Sequence, residues 1–150
     1  MPRLAQAAAA VVARQVPMQL IPKLESLVVH LDEGEERARH LDVLHALRGF
    51  QHRCDVALRR LGGEAAEIDY AIALGGGDFQ GRVLAHQYEL IGVTLQTLMG
   101  MADASVREYY DLLPPSGGFA ERAYSEGLML EIGDHQRSIE RIGAAMEAFR

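Results

Sequence analysis

Tryptophan and asparagine are absent from this chain, and lysine and cysteine occur once each, as Lys23 and Cys54. A lone cysteine excludes an internal disulfide framework and a multi-cysteine zinc knuckle. It fits a reducing compartment, and the expected location is the cytoplasm. No long apolar run is present. The longest, Ala7 to Ala13, is far too short to span a bilayer, so no membrane partner is expected. Positive charge is in deficit: 15 Lys and Arg stand against 21 Asp and Glu, for a formal net charge of −6. A nucleic-acid backbone is therefore a poor partner. No segment alternates with period two for long enough to make a strand. The sequence has no glycine-rich phosphate loop followed by Lys-Ser or Lys-Thr, no Gly-x-Ser-x-Gly and no His-Glu-x-x-His. The Gly75-Gly76-Gly77 run precedes Asp78 rather than a lysine and reads as a helix–helix turn.

What remains is a helix-forming chain of 150 residues, 49% apolar and 24% charged, which suits one domain with its own core. Met1 to Gln15 superficially suggests a signal peptide, but alanine is weakly apolar and Arg14 follows at once. An alanine-rich first helix is the better reading. Breakers at Pro17 with Pro22, at Gly75–Gly77 and at Pro114–Gly118 divide the chain. The expected layout is an N-terminal helical arm (1–17), then a bundle (18–150). Within it helix A covers 18–31, helix B 33–61 with a continuation over 64–74, helix C 79–112 and helix D 119–149. Asp32 with Glu35 has capping-box spacing ahead of helix B, and Asp78 caps helix C. Long amphipathic helices with short connections predict an all-α, mostly antiparallel bundle of four main helices. Glycines inside helices (Gly92, Gly100, Gly127, Gly133, Gly143) predict close helix–helix packing or local softness.

A helix turns about 100° per residue, so each side chain can be assigned a face. In helix B the apolar stripe is Val43, Leu47, Phe50, Cys54, Leu58 and Leu61, with Glu36 and His40 on it and His45, His52 and Arg59 opposite. In helix C it runs from Leu84, Tyr88 and Ile91 through Leu95, Leu98, Ala102 and Val106 to Tyr109 and Leu113, with His86 and Glu89 pointing away. In helix D it is Tyr124, Leu128, Ile132, Ile139, Ile142, Met146 and Phe149, with His135 central and Glu131 near the edge. Cys54 reads as a small core residue. Met99, Met101 and the Tyr109-Tyr110 pair read as core rather than a cofactor box.

Three functional readings follow. Glu36-x-x-x-His40 and Glu131-x-x-x-His135 each place a carboxylate and an imidazole one turn apart on an inward face, a donor set for iron, manganese or zinc. Helix C adds no inward carboxylate. The two pairs should also stand roughly 10–20 Å apart at about 1.5 Å per residue. No cofactor at all is the other reading, with His40 and His135 as core-edge histidines bonded to the glutamate one turn back. A second reading is a helical adaptor or secretion-type chaperone that lays an apolar groove against a partner helix. Leu112-Leu113 and the alanine-rich start are candidate contact or self-association segments, so a homo-oligomer is within this reading.

The third reading rests on His45-Ala46-Leu47-Arg48-Gly49. Over about residues 20–104 the chain resembles the histidine-containing phosphotransfer family, whose signature is His-x-x-Lys/Arg-Gly on an acidic helical bundle. The resemblance implies that His45 accepts a phosphoryl group, that Arg48 is the basic residue beside it and that Gly49 is the glycine one turn on. It implies a receiver domain as protein partner in a two-component phosphorelay of bacterial type, with an intermediate rather than a hydrolytic enzyme. A phosphoryl-accepting imidazole must be open to solvent, and the wheel puts His45 outward while Leu47 turns in. Phe50 departs from the small residue usual in the family. Asp55 stands where a glycine is often found about ten residues after the histidine.

Overall fold

The computed structural model describes residues 2–73 and 78–146, with side chains over 9–61, 90–141, 143 and 144. Every described residue outside 30–34 and 113–118 is helical. Four helices follow in order: α1 (Pro2–Val29), α2 (Glu35–Ala73), α3 (Asp78–Leu112) and α4 (Phe119–Met146). Cross-helix contacts run in opposite directions along neighbours. Arg14 meets Asp55 and Glu25 meets Arg48, so α1 and α2 are antiparallel. Tyr109 meets Glu121 and Gln96 Nε2 donates to the Gln136 carbonyl, so α3 and α4 are antiparallel too. The helices α1 and α3 touch across the centre, whereas α2 and α4 bring no Cα atoms within 8 Å of each other among the described residues. The result is the expected all-α bundle, flattened along one diagonal.

The core follows helical spacing. Ala9, Val12, Ala13, Val16, Leu20, Leu24 and Val28 are buried on α1. On α2 the buried positions are His40, Leu44, Leu47, Phe50, Cys54 and Leu61. On α3 they are Ile91, Leu95, Leu98, Met99, Ala102, Val106 and Tyr109, and on α4 Leu128, Ile132 and Ile139. Steps of three and four keep one stripe per helix against the neighbours.

Several expected boundaries are corrected. No arm separates from the bundle at residue 17, because α1 is one helix through both Pro17 and Pro22. Each proline removes an i→i−4 bond and crowds the previous turn, at a cost of about 3 kcal/mol. The α1 stripe, which buries Pro17 itself, offsets that cost and carries the helix through. Likewise α2 passes Gly62-Gly63 without a break and reaches Ala73. Asp32 is not its N-cap. Ala38 N donates to the Gly34 carbonyl at 3.0 Å, which makes Gly34 the cap, and Glu35 and Glu36 occupy the first turn, where the helix dipole favours them. Asp78 opens α3 instead of preceding it. The Gly75–Gly77 turn and Phe149 lie outside the described residues, as do the side chains of Asp78, Leu84, His86, Tyr88, Glu89, Ile142 and Met146.

The Pro114–Gly118 segment is the loop between α3 and α4. Gly117 and Gly118 have φ of 83° and 65°, a region that L side chains resist. Gly118 then caps α4 through Arg122 N at 3.0 Å. The glycines inside helices do not mark tight crossings. A Cβ at Gly100, Gly127 or Gly143 would meet nothing within 4 Å, and one at Gly92 would reach Ile139 Cγ2 at an ordinary 3.8 Å.

Candidate functional site

The rotational register of α2 decides the fate of the His45 motif. Leu47 has no accessible surface and Phe50 is almost fully buried, so both are core residues. Two residues before Leu47 the chain has turned about 200° back, and His45 is exposed. Gly49, one turn on, is exposed, and a Cβ placed there would meet nothing within 4 Å. The approach to this part of α2 is open. Arg48 is exposed as well, and its guanidinium lies 3.8 Å from a Glu25 carboxylate oxygen on α1. An exposed pair at that distance contributes about 0–1 kcal/mol, so the guanidinium exchanges partners readily. His52, two turns beyond His45, is exposed on the same side.

The four residues read as metal ligands are not brought together. His40 is buried, as expected, but Glu36 is exposed. It sits in the first turn of α2, past the end of the packed stripe, so its angular position does not bury it. His40 Nδ1 lies 2.7 Å from the Glu36 backbone carbonyl, not its carboxylate. A carbonyl only accepts, so Nδ1–H is the donor in this bond. On α4, Glu131 is exposed and His135 half-buried. Glu36 and His40 share a cavity with Glu121, and His135 lies 14 residues further along α4, roughly 21 Å away at about 1.5 Å per residue. Among the described residues no group of three or more His, Cys, Asp or Glu could hold a metal ion.

Cys54 is the core residue expected. Burial is the largest cause that pushes its thiol up to about 11, and the neighbouring Asp55 carboxylate adds to it. A neutral buried thiol is a poor nucleophile.

One polar cluster escaped the sequence reading. Lys23 Nζ on α1 donates to both carboxylate oxygens of Glu121 on α4, at 3.0 and 3.1 Å. Tyr109 Oη on α3 donates to the same carboxylate at 2.9 Å. Lys23 also lies 4.9 Å above the Tyr124 ring. The Lys23 hydrogen bond is the main force holding the Glu121 carboxyl below its usual range. Burial, and then the bond to Glu121, push the Tyr109 phenol well above its usual value. The cluster ties three helices together beside the two loops. Its one legible signal was that Lys23 is the only lysine among fourteen arginines.

No family model, curated protein or solved structure matches this chain. No helix among the described residues is long and apolar enough to cross a membrane.

Proposed function

We propose that this bundle is a phosphoryl-transfer intermediate that accepts on His45 from an aspartyl phosphate of a receiver-type protein partner. The supporting observation is the conjunction on α2 of an exposed His45, a fully buried Leu47 two residues on and an unobstructed Gly49. In that reading the lone pair of a neutral imidazole nitrogen attacks phosphorus. The P–O bond to the aspartyl group breaks, the aspartate leaves as carboxylate, and the other ring nitrogen keeps its proton. Arg48, on leaving Glu25, donates to the phosphoryl oxygens. The test is incubation with a labelled receiver domain. The expected product carries acid-labile, base-stable label that disappears in His45→Gln; unchanged labelling of that variant discards the proposal.

One observation favours a second reading, a partner-binding bundle without covalent chemistry. Val56, Leu90 and Val93 are exposed around a groove of about 520 Å³ between α2 and α3, which His52 and Arg53 also line. Exposed aliphatics clustered at a groove suit a partner helix. A Val56→Ser, Val93→Ser double variant that loses a co-purifying partner, with His45→Gln retaining it, would favour this reading over the first.

A further inference from the structure

At the end of the bundle where the 30–34 and 113–118 loops meet, the helices enclose a cavity of about 630 Å³ that opens to solvent. This lies within the size range of sites for small organic molecules. Leu27, Leu31, Leu112, Leu113 and Pro114 make its walls largely aliphatic.

Apart from the exposed Ser26 hydroxyl, the polar groups fall into two sets. Lys23, Tyr109 and Glu121 satisfy one another at 2.9 to 3.1 Å, and the two charges cancel. The α2 side is different. Glu36 and His40 both line the cavity, one turn apart. The Glu36 carboxylate has no partner among the described residues. His40 is buried and spends Nδ1–H on the Glu36 carbonyl, so Nε2 is its remaining polar atom, an acceptor in the neutral imidazole. His30 at the mouth is exposed to solvent. The uncompensated chemistry is therefore one negative charge and one acceptor against an aliphatic wall. That arrangement asks for a cationic donor with an apolar body. A carboxylate of the same shape meets Glu36 as a like charge.

We propose that this cavity binds a small apolar amine in its ammonium form, with the N–H groups directed to Glu36 and His40 and the hydrocarbon against Leu27, Leu31 and Leu113. The site is independent of His45 and of the phosphoryl-transfer reading.

The test is an NMR titration of the full chain at pH 8 with three probes of equal length: hexylammonium, hexanoate and hexanol. Saturable amide shifts confined to residues 23–40 and 109–121 are expected with hexylammonium, and affinity for hexanoate should be about tenfold lower or worse. Glu36→Gln, on an exposed side chain, should weaken hexylammonium about fivefold. Leu27→Trp, which fills the cavity from its rim, should abolish the saturable shifts. The proposal is overturned by shifts that spread over the chain without saturating, by hexanoate or hexanol binding as tightly as hexylammonium, or by an unchanged affinity in Glu36→Gln.

Discussion

His45 and Leu47 stand two residues apart on α2 and face opposite ways, Leu47 without accessible surface between α2 and its neighbours and His45 in solvent. Truncating the two side chains should therefore have unequal effects. Leu47→Ala leaves a cavity in the core and should cost about 2–5 kcal/mol. His45→Gln should stay within about 0.5 kcal/mol of the parent. Urea unfolding followed by circular dichroism measures both. Similar losses for the two variants would contradict the register on which the His45 reading depends.

The Lys23–Glu121–Tyr109 cluster predicts sensitivity at both ends of the pH scale. Glu121 has a folded pKa below its unfolded value. Its stabilisation is therefore complete above the unfolded value of about 4.3 and fades as pH falls through the lower, folded one. Tyr109 has a raised folded pKa. Its contribution is present below about pH 10 and is lost as pH rises from there. Glu121→Gln should lower stability at pH 7 by about 1 kcal/mol, a modest figure because the Lys23–Glu121 pair is more than a third exposed. It should also flatten the acid limb. Tyr109→Phe should flatten the alkaline limb. Stability measured against pH from 2 to 11 checks both slopes.

The faces of the helices were legible because 100° per residue fixes them once a segment is known to be helical. Leu47, Phe50 and Cys54 on α2, Leu95, Leu98, Ala102 and Val106 on α3, and Ile132 on α4 all lie where periodicity puts them. The exposure of His45 and His52 was legible for the same reason. Boundaries were harder. Pro17 and Pro22 disfavour helix locally, and the packing of Val12, Ala13, Val16 and Leu20 overrides them. Periodicity also misplaced Glu36, because a face points inward only while a neighbouring helix lies opposite it. The Lys23–Glu121 contact joins residues 98 positions apart, and no local pattern encodes such a pairing.

Cys54 should resist modification. It is fully buried with its thiol pushed up to about 11. Reaction with a disulfide reagent at pH 8 should be slow in the native protein and complete within the mixing time in denaturant. Rapid native labelling would show that the α1–α2 contact opens readily.

Outside the His45 motif, the helix-internal glycines that touch nothing are expected to be plain liabilities. Gly100→Ala and Gly127→Ala should each stabilise the fold by about 0.5–1 kcal/mol, since both are exposed and a Cβ at either meets open space. Thermal unfolding checks this, and a loss of stability in either variant would point to a constraint on that helix face.

The most direct measurement places the phosphoryl group itself. After transfer from a phosphorylated receiver domain, ³¹P NMR and mass spectrometry under alkaline conditions should find one phosphoramidate, on His45. His52, also exposed and two turns along the same face, serves as the internal control. Phosphate on His45 alone, abolished by His45→Gln and slowed by Arg48→Ala, is the predicted result. Phosphate on neither histidine, or on His52 as readily as on His45, would contradict it.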